Sequence, residues 1–435
     1  MSDSVSSDIV EAEGHAGALA PILVQKYGGT SVATAERIRA IADRLVKTLV
    51  EHPRLVVVLS AMGKTTDELV ALANAVSERP EGREMDLLLS TGEQISVSLL
   101  GLALQDRGVP AISLTAPQCG IRTDDSFSIA RIESIDTRRI NDELDRGRIV
   151  IIAGFQGMTR NQEITTLGRG GSDITGAALA AALGAEACDI CTDVDGVLSG
   201  DPGMVTSTNL WSEITYEEAI EMATSGAKVL HPRAAEVCMA YKIPIHVRSS
   251  FHEREGTWIR GEDDMVMEQA AVVGVSSEKS ITKITLTDVP DRPGVAAQVF
   301  QDLAVQGICV RLIIQSASAE GLGRITFVLD DEYVESAVRL VDQWKECEVA
   351  KDGLIDRSVA KISIVGSRLA STPGLAARMF TVLAREGINI DCISSSEMKI
   401  ACVISELHVE RAVQAVHREF FSSDRDTADK ATFGS

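Results

Sequence analysis

A segment beginning at Asp291, DRPGVAAQVFQDLAVQGICVRLIIQ, aligns without a gap on one beginning at Ser371, STPGLAARMFTVLAREGINIDCISS, at an offset of 80 residues with ten identities. The identities include Pro293/Pro373, Gly294/Gly374, Phe300/Phe380, Leu303/Leu383 and Gly307/Gly387. Self-similarity of this kind marks a duplicated supersecondary unit. Each copy reads as a strand (ITLTDV, KISIVG), a loop ending in Pro-Gly, an amphipathic helix closed by glycine, then further strands and a second helix. That order predicts a βαββαβ unit, and two in tandem suggest a paired regulatory module.

Ahead of the repeat, short β-branched runs alternate with Ala/Leu-rich segments of helical period, the pattern of an α/β domain with a mostly parallel sheet flanked by helices. Strands are expected at Ile22–Lys26, Leu55–Leu59, Ala111–Leu114, Ile149–Ala153, Ala187–Thr192 and Ile245–Val247, and helices at Ala35–Leu49, Glu68–Ser77 and Glu93–Asp106. The charged stretch HEREGTWIRGEDD, residues 252–264, breaks the periodicity and is the expected internal boundary. The expected organisation is an extension over 1–20, the α/β domain over 21–262, repeat copies over 271–350 and 358–421, and a flexible tail over 422–435.

With 42 basic against 63 acidic residues the formal charge is −21, a field that repels phosphate backbones and anionic lipid, so nucleic acid and membranes are not expected partners. No apolar run approaches the roughly 18 residues that span a bilayer, so the chain is not expected to cross membranes. The first twenty residues lack the basic and apolar regions of a secretory signal, which points to a cytoplasmic location. The lone CxxC, Cys188 to Cys191, lies in an expected strand, where residues three apart face opposite ways and neither pair nor share zinc.

Chemistry is concentrated in glycine-bearing strings. Lys26-Tyr27-Gly28-Gly29-Thr30-Ser31 closes the first strand, where paired glycines let backbone N–H groups approach phosphate and the lysine adds a point charge. A tight turn with a solvated lysine explains it equally well. Gly63-Lys64-Thr65 mimics the end of a P-loop, but Val58 stands where that motif needs glycine. The string Ser60 to Asp67 suits a small polar ligand or, equally, a helix cap made by Thr66 or Asp67. Thr166-Leu167-Gly168-Arg169-Gly170-Gly171-Ser172-Asp173 sets three glycines around one arginine ahead of a helix, an anion site in which the guanidinium matches a carboxylate. Thr192-Asp193-Val194-Asp195-Gly196 offers two carboxylates for Mg2+ or a ribose, with a plain Asp-Gly turn as the alternative. In Ser225-Gly226-Ala227-Lys228-Val229-Leu230-His231-Pro232, Lys228 is placed to meet phosphate and His231 reads as structural.

KYGGTS, STGEQ, TTLGRGGSD, TDVDG and SGAKVLHP, in this order and followed by two βαββαβ repeats, resemble the aspartate kinases of the amino acid kinase superfamily. The resemblance implies an amino acid kinase fold followed by two ACT domains, and transfer of the γ-phosphoryl group of MgATP to the side-chain carboxylate of L-aspartate. The product, 4-phospho-L-aspartate, would feed lysine, threonine and methionine synthesis. It further implies that Lys26, with Gly28 and Gly29, holds the transferring phosphate and that Asp173 orients that lysine. Thr66 and Glu93 would contact aspartate, Glu93 through its ammonium group, and Arg169 with Gly170, Gly171 and Ser172 would clamp its α-carboxylate. Tyr27, Thr192, Asp193, Lys228 and Val229 would line the ATP site. Mg2+ would arrive with ATP and no direct protein ligand is expected for it, Asp193 being the one candidate contact. Lysine or threonine would bind the ACT domains, which would also join copies of the chain into a homodimer or larger homo-oligomer.

Two stretches depart from the family pattern. GVYTADPR becomes Gly196-Val197-Leu198-Ser199-Gly200-Asp201-Pro202-Gly203, so Leu198 and Gly203 replace an aromatic and an arginine beside the nucleotide. In the first repeat GINIDMIVQN becomes Gly307-Ile308-Cys309-Val310-Arg311-Leu312-Ile313-Ile314-Gln315-Ser316, which removes an aspartate and two asparagines near the effector pocket, whereas Gly387-Ile388-Asn389-Ile390-Asp391 keeps the pattern. Altered feedback control is therefore expected. The rival readings are a catalytically weak, amino-acid-sensing regulatory subunit and a kinase for another small carboxylate.

Overall fold

The structure is a computed structural model that describes residues 20–227, 229–264, 270–317 and 321–422. The expected extension up to residue 19, the tail beyond Ser422 and Lys228 lie outside them. The chain forms two compact units, one of the described residues up to Leu167 with Leu179–Cys188, the other of Gly168–Ala178 and the described residues from Asp189 on.

The first unit runs β1 (Ile22–Tyr27), α1 (Ala35–Glu51), β2 (Arg54–Leu59), α2 (Thr65–Val76), α3 (Arg83–Leu89), α4 (Thr91–Gln105), β3 (Ala111–Leu114), β4 (Ile121–Thr123), β5 (Ile132–Ile135), α5 (Arg138–Asp145), β6 (Ile149–Ala153), β7 (Gln156–Met158) and β8 (Ile164–Thr166). Strands β1, β2, β6 and β3 pair in parallel in that order. Every residue of β1, β2 and β6 is buried, as expected of parallel strands covered on both faces. Helix α1 starts where the Thr34 side chain accepts the Arg37 N–H, and it turns Ile38, Ile41, Ala42 and Leu45 inward. Four short strands in the order β5-β4-β7-β8 make a second sheet that the sequence pattern does not announce. The stretch Arg83–Gln105, which includes α3 and α4, is apolar and long enough to cross a membrane by length and composition, against the sequence expectation. Half of its apolar window is buried in this unit, and Asp86 and Glu93 are buried within it.

The second unit takes in α6 (Gly171–Leu183), β9 (Ala187–Thr192), β10 (Glu213–Thr215), α7 (Tyr216–Thr224), α8 (Pro232–Tyr241), β11 (Ile245–Ser249) and β12 (Thr257–Arg260). Helix α6 and strand β9 belong to it only in part. Strand β12 sits inside the charged stretch taken from the sequence as a boundary. It pairs antiparallel with β11 and parallel with β10, turning Thr257 and Ile259 inward. The repeats follow as β13 (Gly274–Pro290), α9 (Val295–Val305), β14 (Val310–Ala317), β15 (Leu322–Asp330), α10 (Val334–Glu346), β16 (Asp352–Val365), α11 (Leu375–Arg385), β17 (Cys392–Ser395), β18 (Lys399–Ser405) and α12 (Val409–Phe421).

The repeats share one antiparallel sheet, ordered β14-β15-β13-β16-β18-β17. Among the described residues the last strand of the second βαββαβ unit comes from ahead of the first. The start of β13 supplies it, with Gly274 opposite Val365 and Glu278 opposite Lys361, while the other end of β13 pairs with the start of β16, Thr287 opposite Asp352. One apolar core gathers Ile284, Phe327 and Trp344 of the first copy, and a second gathers Ile362, Met379, Cys402 and Val413. Val205, from the loop before β10, belongs to the second of these cores.

Candidate functional site

At the end of β1 the backbone leaves the sheet through Gly28 and Gly29. The Tyr27 carbonyl accepts the Ser60 N–H (3.1 Å) and the Gly29 carbonyl accepts the Gly63 N–H (3.0 Å), so the loops after β1 and β2 are tied together. A Cβ at Gly29 would lie 2.9 Å from the Ala61 carbonyl oxygen, so this approach requires glycine. Lys26 is buried, and its Nζ lies 3.6 Å from where a Gly28 Cβ would stand. Tyr27 is a core residue instead: it is fully buried and its phenol donates to Gln25 Oε1 (3.1 Å), which leaves only its backbone to a ligand.

Glu93, in the first turn of α4, faces the same pair of loops. Its Oε1 accepts the Ala61 N–H at 3.1 Å, and its Oε2 is buried with no hydrogen-bond partner. Burial pushes its carboxyl up to about 7, more than the N–H bonds to the carboxylate pull it down. Thr66 lies inside the first turn of α2, with Lys64 as a cap that makes no side-chain hydrogen bond, so neither Thr66 nor Asp67 caps that helix.

Asp86, which the sequence reading missed, is fully buried. It accepts the Thr166 N–H (2.7 Å) and hydroxyl (3.0 Å) and the Ser128 N–H (2.8 Å) and hydroxyl (3.0 Å). It thereby fixes the start of the TLGRGGSD string. Only its position in an apolar helical run hinted at a buried role.

In the second unit Gly168 and Gly170 have φ of 77° and 71°, so two of the three clustered glycines have a conformational cause as well as any ligand role. A Cβ at Gly170 would come 2.3 Å from the His231 ring, which therefore lies directly against the loop. Arg169 is exposed at its tip, Gly171 and Ser172 are buried, and Asp173 sits in the first turn of α6. Burial holds the His231 imidazole below its ordinary value, against the pull of Asp173 upward. His231 also precedes α8 as its N-cap residue, which fits the structural role expected of it.

A cavity of about 240 Å3 opens beside these loops in the second unit, bounded by Asp193, Val197, Leu198, Met222, Ala223 and Val229 among others. It is the size of a purine base with part of its sugar and is largely apolar. Asp193 and Val229 line it, and the Thr192 hydroxyl donates to Asp193 (3.2 Å). Asp195 is spoken for: His252 (2.6 Å) and Arg254 (2.9 Å) hold it, which leaves one carboxylate of the pair to a ligand. Leu198 lines the cavity, whereas Gly203 folds back so that its N–H meets Asp201 Oδ1 (2.8 Å). Among the described residues no cluster of three or more His, Cys, Asp or Glu is grouped for a metal.

The Amino acid kinase family matches residues 21–249, and the ACT domain family matches residues 287–343 and 362–420. An aspartokinase of Geobacillus stearothermophilus is 46% identical over 400 residues, 92% of this chain and 97% of that protein. Aspartokinase 2 of Bacillus subtilis is 45% identical over 408 residues, 94% of this chain and 99% of that protein. Among solved structures, E. coli aspartokinase III in complex with aspartate and ADP superposes with a TM-score of 0.78 at 28% identity, covering 92% of this chain and all of that one.

Proposed function

This chain belongs to the aspartokinases, amino acid kinases with paired ACT domains, and we propose that it transfers the γ-phosphoryl group of ATP to the β-carboxylate of L-aspartate, giving 4-phospho-L-aspartate. The observation that carries the choice of substrate is Glu93. A buried carboxylate with one oxygen anchored and the other unpartnered is a receptor for a cation, and the ammonium group of an amino acid supplies one.

In this reading Glu93 takes the ammonium, Arg169 forks onto the α-carboxylate with Gly170, Gly171 and Ser172, and Thr66 contacts the side chain. The acceptor is already an anion at neutral pH, so the reaction needs no proteinaceous base. Phosphoryl transfer then depends on in-line positioning and on neutralising charge on the phosphoryl oxygens. Lys26 and the N–H groups at Gly28 and Gly29 do this at the transferring phosphate, while the Val229-lined cavity takes the adenosine. Mg2+, when bound with ATP, draws charge off the phosphates. A single available carboxylate, Asp193, fits an ion held mainly by phosphate oxygens and water.

Regulation by end-product amino acids belongs to the same proposal, and with it a place at the start of lysine, threonine and methionine synthesis. A cavity of about 280 Å3 lies at the Pro-Gly loop of the first repeat, lined by Arg292, Gly294, Ala296, Gln315 and Arg324 among others. Arg311, where the family pattern has an aspartate, is turned to Asp330 (2.7 Å) and is not among the residues lining it, which supports weakened control. Exposed Ile313 and Ile393 on the edge strands β14 and β17 favour pairing with a second copy. All eight cysteines are free, which suits the cytoplasm.

The test is incubation with ATP, Mg2+ and hydroxylamine, which traps an acyl phosphate as a hydroxamate. L-aspartate gives the hydroxamate, and N-acetylglutamate gives none. Turnover of another carboxylate in preference to aspartate overturns the assignment.

A further inference from the structure

The loop from Val197 to Asp201 borders the nucleotide cavity, to which Leu198, Gly200 and Asp201 contribute. Ser199, between them, points away. It is fully buried, and its hydroxyl oxygen accepts the Asn209 N–H (2.9 Å) and lies 2.8 Å from Nε2 of His417 on α12, the last helix of the second repeat. Its backbone is fixed too: the N–H donates to the Asn209 carbonyl (2.9 Å) and the carbonyl accepts the Val275 N–H (2.8 Å).

The fit around His417 is close. A Cβ at Gly200 would stand 2.9 Å from His417 Cδ2, so the ring occupies space that this glycine leaves open. On its other side His417 stacks on Phe421 at 4.7 Å, and Phe421 meets Trp211 edge-on at 6.4 Å. Val205, a few residues further along the loop, is buried in the core that α12 helps to build, and Gln414 of α12 donates to the Met204 carbonyl (2.9 Å). Burial holds the His417 imidazole below its ordinary value, which favours the neutral ring that can accept the serine proton.

We propose that His417 is a positioning residue for ATP: by holding Ser199 it fixes the loop that forms one wall of the nucleotide cavity, so that nucleotide affinity depends on a side chain of the second ACT copy. The proposal rests on the assignment of this cavity to ATP. It predicts a particular kinetic split, because the loop touches the nucleotide and not the amino acid.

The experiment is steady-state kinetics of the full chain carrying Ser199→Ala, His417→Ala or His417→Gln, with thermal melting as the check on folding. Ser199→Ala removes one oxygen and leaves the packing intact. Both alanine variants raise KM for ATP by roughly fivefold to fiftyfold, the range for one lost buried hydrogen bond, while KM for aspartate and kcat stay within about twofold. The glutamine variant, whose amide reaches the serine, recovers part of the loss. An unchanged KM for ATP in folded Ser199→Ala, or an equal rise in both KM values, overturns the proposal. Ala223→Trp, which fills the cavity itself, separates the two claims. If it leaves ATP binding intact, the cavity assignment falls and the proposal with it; if it abolishes binding while the Ser199 and His417 variants bind normally, only the positioning role falls.

Discussion

Glu93 holds the Ala61 backbone N–H with one carboxylate oxygen at 3.1 Å and keeps the other buried without a partner, so the end of β2 and the start of α4 are joined through half of a charged group. A charge kept in this way opposes folding until something binds it. Its environment therefore has consequences both for stability and for substrate.

The first is a pH-dependent stability cost. The Glu93 carboxyl is raised from 4.5 to about 7, so the folded state holds its proton more tightly than the unfolded chain. The penalty is absent below pH about 4.5, grows as pH rises and is complete above about 7. Glu93→Gln without ligand is then more stable than the parent at pH 8 by about 3 kcal/mol, and the difference vanishes near pH 4.5. Chemical denaturation at the two pH values measures it. The same titration makes KM for aspartate climb as pH falls below 7.

Lys26 is assigned to the transferring phosphate. Lys26→Ala lowers kcat by roughly a hundredfold to a thousandfold, with KM for aspartate changed by no more than about twofold. Comparable losses in both parameters would move Lys26 from the phosphate to the substrate pocket.

Gly170 carries two constraints, a φ of 71° and a His231 ring 2.3 Å from any added Cβ. Gly170→Ala costs about 1–3 kcal/mol in stability from the strained backbone and the clash. It also weakens aspartate binding, because Arg169 precedes it on the displaced loop. Melting temperature and KM for aspartate are the two readouts.

The cavity at the first Pro-Gly loop is assigned to an amino-acid effector. Ala296→Trp fills it, so any inhibition by lysine or threonine disappears while kcat and both substrate KM values persist. With Arg311 turned to Asp330, inhibition of the unaltered chain is absent at sub-millimolar lysine or threonine. Inhibition curves for both amino acids check the two statements.

Strands β1, β2 and β6 were legible because their apolar, mostly β-branched runs are buried on both faces, and Ala111–Leu114, Ile149–Ala153 and Ala187–Thr192 have the bounds expected. The loop at Gly28 and Gly29 was legible because paired glycines stand where backbone must approach backbone, as at Gly29 against the Ala61 carbonyl. Strands β4, β7 and β8, each of three residues, are too short to show a period, and β12 was hidden because charged residues flank it on both sides, whereas in the fold its own Arg260 lies over the Trp258 ring at 4.5 Å. The strand that completes the second repeat comes from a segment ahead of the first, a pairing that no local pattern encodes. Contacts such as Ser199 with His417, 218 residues apart, are likewise set by the assembled fold alone.

The most direct test compares kcat/KM for L-aspartate and for succinate, which is aspartate without its ammonium group, in the parent chain and in Glu93→Gln. A buried charged hydrogen bond is worth about 2–3 kcal/mol, so the parent prefers aspartate by at least roughly thirtyfold and Glu93→Gln loses most of that preference. Equal use of both acids by the parent, or a preference untouched by Glu93→Gln, contradicts the account.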